Sequence, residues 1–256
     1  MARLARGALA LCLIAACHDS DATRTVSVFA ASSLTEAFEA LEPGFEAAHP
    51  DTDLQLVFGG SQVLRLQIEQ GAPADAFASA DAAHVDALAR AGRIARTQHF
   101  ATNHLAVIVP PNNPAGIARL DDLPQASRIV LGTQEVPIGR YTAAMLARVG
   151  EDFSRRVGEK VASRESNVRL VRAKVELSEA DAAVVYRTDV NTRVRAVPVP
   201  SEYDVPARYV LGVAEQAQHP SSADAFVSYV LSAQGRAVLT RHGFDVPASG
   251  GAEEAQ

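Results

Sequence analysis

Thr25–Glu46 reads TVSVFAASSLTEAFEALEPGFE, the pattern of a buried strand, a turn of small residues and an amphipathic helix. The β-branched and aromatic residues up to Phe29 favour a strand, and the apolar residues after the turn recur at helical spacing. Ser33 and Glu36 form an S-x-x-E pattern, which predicts a capping box at the start of the helix. Unpaired backbone N–H groups at the positive end of a helix would then lie at the carboxyl end of a strand, where an anion can bind.

A second unit of this kind follows in Asp53–Gln70, where Gly59 and Gly60 separate a strand from Ser61. Small residues let a ligand approach the backbone. A single serine at a helix start is most often only a cap. Two such units after adjacent strands predict a ligand shared between two helix N-termini.

Two further strand–turn–helix units follow in the second half of the chain. Pro137 suits the first turn of a helix, and Ser166 or Asn167 can cap a helix that begins at Val168. Arg169 stands near that helix start, where a positive charge opposes the helix dipole. Such local rule-breaks cluster at functional sites, but a solvated surface arginine is the slightly favoured interpretation.

Three other residues are candidates for chemistry. Asp75 and Asp81 can be read as a carboxylate pair, although Asp81 is better explained as a helix cap, and Asp75 is left open. Tyr186 ends a buried strand, where it either belongs to the core or points its hydroxyl at a ligand.

The histidines are scattered and lack metal-ligand spacing, so no cation site is predicted. They are His18, His49, His84, His99, His104, His219 and His242.

The N-terminal residues predict export. Residues 1–16 contain two arginines followed by an apolar stretch too short to span a bilayer, as in a signal peptide. Cys17 follows small residues and resembles a bacterial lipobox cysteine, which predicts lipidation there. Without residues 1–16 only Cys17 remains, which leaves no intramolecular disulfide, and the formal charge falls from −6 to −8 because two arginines are removed.

Composition excludes some functions. The absence of Trp and the net negative charge argue against a nucleic-acid partner.

Alternating strands and helices predict an α/β fold. We expect residues 17–24 to be a tether, 25–102 and 211–247 a discontinuous first lobe, 103–210 a second lobe, and 248–256 a disordered tail. Each lobe is expected to be a mixed, mostly parallel sheet flanked by helices, with the ligand in the cleft between the lobes.

Four segments together resemble one known family. They are Val28–Thr35 (VFAASSLT), Gln67–Asp81 (QIEQGAPADAFASAD), Val136–Tyr141 (VPIGRY) and Glu179–Asp189 (EADAAVVYRTD). In their order and spacing the chain resembles the periplasmic molybdate-binding proteins of bacterial ABC transporters, which have the type II periplasmic-binding-protein fold. The resemblance covers nearly all of residues 25–244.

The resemblance implies how an oxyanion is held. In that family serine hydroxyls, backbone amides at helix starts and a tyrosine hydroxyl donate hydrogen bonds to the anion, without a positive side chain. Carried over motif by motif, the implied contacts are Ser33, Ser61, Ile138, Val168 and Tyr186, with Ser32 as a further candidate. The family loop is Val-Pro-Ala-Gly, so Ile138 replaces an alanine. A backbone N–H contact would survive this change, but the larger side chain could narrow the cavity.

The resemblance implies a monomeric, extracytoplasmic binding protein for molybdate, and also for tungstate, that delivers its ligand to an ABC permease. It implies no cofactor, no catalysis, and membrane attachment only through the lipid at Cys17. The first alternative is a binder of another oxyanion such as sulfate. A serine hydrolase is a weaker alternative because the chain has no G-x-S-x-G motif. A third is an adhesion or sensory lipoprotein that has lost its ligand.

Overall fold

The computed structural model describes residues 24–247. The predicted signal peptide, the predicted lipidation site Cys17, nearly all of the predicted tether and the acidic tail lie outside the described residues. The strands are β1 (Arg24–Ala31), β2 (Thr52–Gly59), β3 (Ala76–Ser79), β4 (Ile94–Asn103), β5 (Leu105–Val109), β6 (Ile129–Gly132), β7 (Val161–Glu165), β8 (Ala182–Tyr186), β9 (Arg195–Pro198) and β10 (Ala207–Ala214). The α-helices are α1 (Thr35–Ala48), α2 (Ser61–Glu69), α3 (Ala82–Arg90), α4 (Pro137–Val149), α5 (Glu151–Gly158), α6 (Val168–Glu176), α7 (Pro220–Leu231) and α8 (Ala233–Arg241).

The strands form two five-stranded sheets with related topology. The first sheet has the order β2-β1-β3-β10-β4, and the second has the order β7-β6-β8-β5-β9. In each sheet two pairings are parallel and two are antiparallel. The parallel pairings join strands connected through helices, as such crossovers require. The α/β prediction is confirmed, although antiparallel pairings are as numerous as parallel ones.

Helices pack on both sheets. We call the first sheet with α1, α2, α3, α7 and α8 the first lobe, and the second sheet with α4, α5 and α6 the second lobe. In α1 the side chains of Phe38 and Phe45 are fully buried, and both rings pack edge-on against Phe226 of α7. In the second sheet every residue of β5 is buried, because strands flank it on both edges and helices cover the sheet.

The chain passes between the sheets twice. It first passes at His104, between β4 of the first sheet and β5 of the second, and it returns between β9 and β10. The predicted boundary between residues 210 and 211 falls within β10, and the division of the chain into lobes at those residues stays a prediction. No helix of residues 24–247 is long and apolar enough to span a bilayer.

Candidate functional site

A small cavity lies where the two lobes meet. Its lining residues are Ala31, Ser32, Ser33, Gly59, Gly60, Ser61, Ala80, Val136, Pro137, Ile138, Asn167, Val168 and Tyr186. All six residues that the sequence nominated for anion contact therefore lie around one cavity. Among the described residues, none that lines it carries a charged side chain.

Ser32 and Ser33 lie at the carboxyl end of β1, but the predicted capping box is wrong. A 3-10 turn, Ser32–Leu34, precedes α1, which begins at Thr35, and no side chain of the described residues caps either helix start. Both serines are nearly fully buried. The Ser33 hydroxyl lies 2.8 Å from the hydroxyl of Tyr209 instead of bonding to the helix backbone. The serine is thus available to the cavity and is not used as a cap.

Ser61 is the first residue of α2, as predicted, and is 1% exposed. The backbone N–H of Ala80 donates to its hydroxyl oxygen at 3.2 Å. Since a backbone N–H can only donate, the Ser61 proton remains available to an acceptor in the cavity. Gly60 precedes it, and a Cβ there would lie 2.4 Å from the carbonyl oxygen of Ser166. Glycine therefore permits the close approach of the two lobes beside the cavity.

Ile138 is the second residue of α4, whose first residue is Pro137, as predicted. The N–H groups of a first helical turn have no partner within the helix, so the Ile138 N–H is one of the donors left at this end. The Ile138 side chain is buried, and its Cγ2 methyl packs against Gly132, where an added Cβ would lie 2.8 Å from it. At least part of the extra bulk relative to alanine therefore packs against the end of β6.

Val168 is the first residue of α6, and Asn167 caps this helix. The Asn167 Oδ1 accepts a hydrogen bond from the Leu170 N–H at 3.0 Å. This confirms one of the two predicted caps. The cap satisfies the third N–H of the helix and leaves the Val168 N–H without a partner inside it.

Tyr186 ends β8 and is 1% exposed. Its hydroxyl has no hydrogen-bond partner among the described residues. Burial raises the pKa of Tyr186 well above its ordinary value, so the hydroxyl stays protonated and can donate. An unsatisfied buried hydroxyl costs about 1–3 kcal/mol. A ligand that accepts its hydrogen bond would remove that cost.

Side chains also join the two lobes next to the cavity. The Arg169 Nε donates to the Ser32 carbonyl at 2.8 Å, and its guanidinium forms an ion pair with Glu36. On another side Arg140 pairs with Asp81. The favoured interpretation of Arg169 as a solvated surface residue is wrong, because its side chain is 29% exposed and bonded across the cleft.

Two neutral contacts add to these bridges. The Gln62 Nε2 donates to the Ser166 carbonyl at 2.7 Å, and the His84 Nε2 lies 3.2 Å from the Glu135 carbonyl. Burial lowers the pKa of His84, which favours the neutral ring. The side chains that hold the lobes together therefore flank the cavity and are not among its lining residues.

The two aspartates have structural roles. Asp81 caps α3 by accepting from the His84 N–H at 3.2 Å, as predicted. Asp75 accepts from the backbone N–H groups of Ser27 and His219, and so ties β1 to the start of α7. No group of three or more metal-binding side chains occurs within residues 24–247.

Sequence reasoning missed Tyr209, which contacts Ser33 from β10. It lies in an apolar strand run, and no local pattern distinguishes it from a core residue. Asn103, the last residue of β4, was missed as well. Both side chains are fully buried. Their link to the site could not be found from spacing, because Ser33 and Tyr209 are 176 residues apart.

Residues 26–245 match the model of the family described as bacterial extracellular solute-binding protein. The chain is 35% identical over 229 residues to the molybdate-binding protein ModA of Mycobacterium tuberculosis. The aligned region covers 88% of this chain and 85% of that protein. The periplasmic molybdate-binding protein of Azotobacter vinelandii superposes with a TM-score of 0.77 at 18% identity, over 87% of this chain and 99% of that one. The sulfate-binding protein SubI of M. tuberculosis superposes with a TM-score of 0.79 at 18% identity, over 88% of each chain. At these identities the two structures establish a shared fold.

Proposed function

The chain belongs to the family of bacterial extracellular solute-binding proteins, and we propose that it captures molybdate outside the cytoplasm for delivery to an ABC permease. The observation that carries this proposal is the cavity between the lobes. Helix N-termini and hydroxyl groups surround it, Tyr186 has an unsatisfied hydroxyl there, and no charged side chain of the described residues lines it. The 35% identity to a molybdate-binding relative supports the choice of ligand.

The binding energy comes from neutral donors. The first turns of α2, α4 and α6 contribute N–H groups and the positive ends of three helix dipoles. Ser33, Ser61 and Tyr186 add hydroxyl donors. Hydrogen bonds to a charged group contribute about 1.5–3 kcal/mol each. About six of them offset the costs of desolvation and ordering and leave micromolar to nanomolar affinity.

The size of the cavity supports a small inorganic anion. The space open to the centre of a water-sized sphere is about 10 Å3. Such a volume holds about one water-sized group, so the cavity suits only a ligand of a few atoms. Molybdate and tungstate are nearly equal in size and charge, so we propose that both bind. Sulfate is smaller and makes longer contacts in a cavity built for the larger anions.

Ligand binding is coupled to closure of the two lobes. Ser33 and Ser61 belong to the first lobe, whereas Ile138, Val168 and Tyr186 belong to the second. An anion that accepts hydrogen bonds from both lobes binds the closed form better and shifts the population towards it. The bridges from Arg169 and Arg140 form only when the lobes are together. The closed form is then the one that docks on the permease.

The same proposal includes attachment at the membrane. Lipidation of Cys17 would anchor a monomeric binding domain outside the cytoplasm, with the residues between Cys17 and β1 as a short tether. The competing serine hydrolase has less support, because the Ser33 hydroxyl contacts Tyr209 and the Ser61 hydroxyl contacts the Ala80 N–H. Neither arrangement provides a general base of the kind that activates a serine nucleophile.

Calorimetric titration of a soluble form that begins at His18 tests the function, with molybdate, tungstate, sulfate and phosphate as ligands. We expect tight binding of the first two and weak or no binding of the others. A variant with Ser33→Ala and Ser61→Ala should lose at least a hundredfold in molybdate affinity, because two donors to a charged ligand are removed. Replacement of the exposed Ser201 and Ser228 by alanine is the matched control. Unchanged molybdate binding by the Ser33→Ala, Ser61→Ala variant would contradict the assignment of the site. Preferential binding of sulfate by the wild type would contradict molybdate as the ligand.

A further inference from the structure

A buried hydrogen-bond network behind the cavity begins at Asn103. The His104 backbone N–H donates to the Asn103 Oδ1 at 2.9 Å. Because a backbone N–H can only donate, this contact identifies the oxygen of the amide and fixes its orientation. The Asn103 Nδ2 therefore donates, and it lies 2.8 Å from the Thr188 hydroxyl and 3.4 Å from the Tyr209 hydroxyl.

Tyr209 is the next member of the network. Its ring is held by edge-on contacts with Phe100, Tyr186 and Phe244, at centroid distances of 5.3–6.2 Å. Its hydroxyl oxygen accepts from the Asn103 amide at 3.4 Å and lies 2.8 Å from the Ser33 Oγ, where either hydroxyl can be the donor. Donation by Tyr209 is the arrangement that gives the tyrosine proton a partner among the described residues. Burial raises the pKa of Tyr209 well above its ordinary value, which keeps this proton in place.

In that arrangement the Ser33 oxygen accepts a hydrogen bond from Tyr209. A serine hydroxyl that accepts from Tyr209 has its own proton left for the cavity. The same arrangement holds at Ser61, whose oxygen accepts from the Ala80 N–H at 3.2 Å. Two independent donors, one from a side chain and one from the backbone, therefore orient the two serines in the same sense.

We propose that Asn103 and Tyr209 are positioning residues that hold Ser33 as a hydrogen-bond donor to the bound oxyanion. The inference rests on the proposed function and deepens it. Molybdate has only acceptor oxygens, and each can meet a donor. Hydrogen phosphate carries an O–H group, which would face the protons of Ser33 and Ser61 without an acceptor. No carboxylate among the described residues lines the cavity to accept that proton.

The hydrogen bonds that run from Asn103 through Tyr209 to Ser33 are called the relay. Tyr209→Phe tests the relay in the full exported chain. Without the tyrosine proton, Ser33 can rotate and present its oxygen to the ligand, so molybdate binding weakens and hydrogen phosphate is better tolerated. We expect the ratio of molybdate to phosphate affinity at neutral pH, measured by calorimetry, to fall about tenfold. Tyr229→Phe is the matched control, because its ring packs on Phe45 away from the cavity. In a Ser33→Ala background, Tyr209→Phe should leave the ratio unchanged.

An unchanged ratio in Tyr209→Phe, or an equal fall in the Ser33→Ala background, would overturn the relay. A second measurement needs no ligand. Neutron diffraction from the deuterated, ligand-free protein should locate a deuteron on the Tyr209 oxygen, directed at Ser33. A deuteron on Ser33 directed at Tyr209 would refute the relay whichever anion binds. Failure of the wild-type chain to bind molybdate would instead refute the proposed function.

Discussion

Removal of the Arg169 guanidinium should weaken ligand retention without disturbing the contacts that line the cavity. Arg169→Gln removes a charged hydrogen bond to the Ser32 carbonyl at 2.8 Å and the ion pair with Glu36. The first contact contributes about 1.5–3 kcal/mol. The second contributes about 0–1 kcal/mol, because the Glu36 side chain is 50% exposed and solvent screens it.

The low end of this range applies, since the Ser32 carbonyl keeps a hydrogen bond from the Thr35 hydroxyl at 2.9 Å. A loss of about 1.5–2 kcal/mol from the closed form corresponds to roughly 10–30-fold in Kd. The whole increase in Kd is observed if the ligand-free protein is mostly open, because the free energy of binding then includes the whole cost of closing the lobes. Most of the change should be a faster dissociation rate, because closure holds the ligand in.

Calorimetry gives the Kd, and stopped-flow displacement of molybdate by excess tungstate gives the dissociation rate. Arg155→Gln is the matched control, because Arg155 pairs with Asp152 and Glu159 within and next to α5 and spans no cleft. It should change neither quantity. An unchanged dissociation rate in Arg169→Gln would refute the idea that this bridge stabilises the closed form. A fall in the melting temperature of the ligand-free protein equal to that of the bound protein would show an effect on the fold.

Three other substitutions test separate parts of the site. Tyr186→Phe should weaken molybdate binding by about tenfold or more in calorimetry, since one donor to the anion is lost. The ligand-free variant should unfold at an equal or higher temperature than the wild type, because an unsatisfied buried hydroxyl is removed. Ile138→Ala should lower the free energy of unfolding in urea by about 2–5 kcal/mol, because its methyl groups pack against Gly132, but leave the Kd within a few-fold because the backbone N–H remains. Burial raises the pKa of Asp189 from 3.8 to about 7 despite the nearby Arg172. Between these two pKa values the folded state holds a proton that the unfolded state has lost, so this group makes the free energy of unfolding fall as pH rises. Asp189→Asn should therefore reduce the fall in the free energy of unfolding between about pH 4 and pH 7, as measured by urea unfolding. An identical pH slope in the variant and the wild type would contradict the assignment to Asp189.

Local sequence patterns predicted several site elements correctly. Pro137 opens α4 because its fixed φ and missing N–H suit the first helical position. Asn167 and Asp81 cap their helices because a short polar side chain reaches an N–H two or three residues on. Ser61 begins α2 after two glycines. In each of these cases the atoms that interact lie within a few residues of one another.

The capping box at Ser33 failed for the opposite reason. The S-x-x-E pattern was present, but Ser33 bonds to Tyr209 and Glu36 pairs with Arg169, and both partners lie far away in the sequence. Tertiary partners outcompeted a local hydrogen bond of similar strength. Arg169 was misjudged in the same way, because its unfavourable place at a helix start is offset by contacts across the cleft.

The sequence by itself determined the α/β fold and the places where helices begin, because hydrophobic periodicity and capping act over a few residues. Only the tertiary structure decided which helix starts share a cavity, that the Tyr186 hydroxyl lacks a partner among the described residues, and that the Ser33 hydroxyl lies against the Tyr209 hydroxyl. The first two properties depend on the meeting of two lobes, and the third on the pairing of distant parts of the chain within the first lobe. The direction of a hydroxyl proton is set by whichever donors and acceptors folding brings next to it, and no local pattern specifies them.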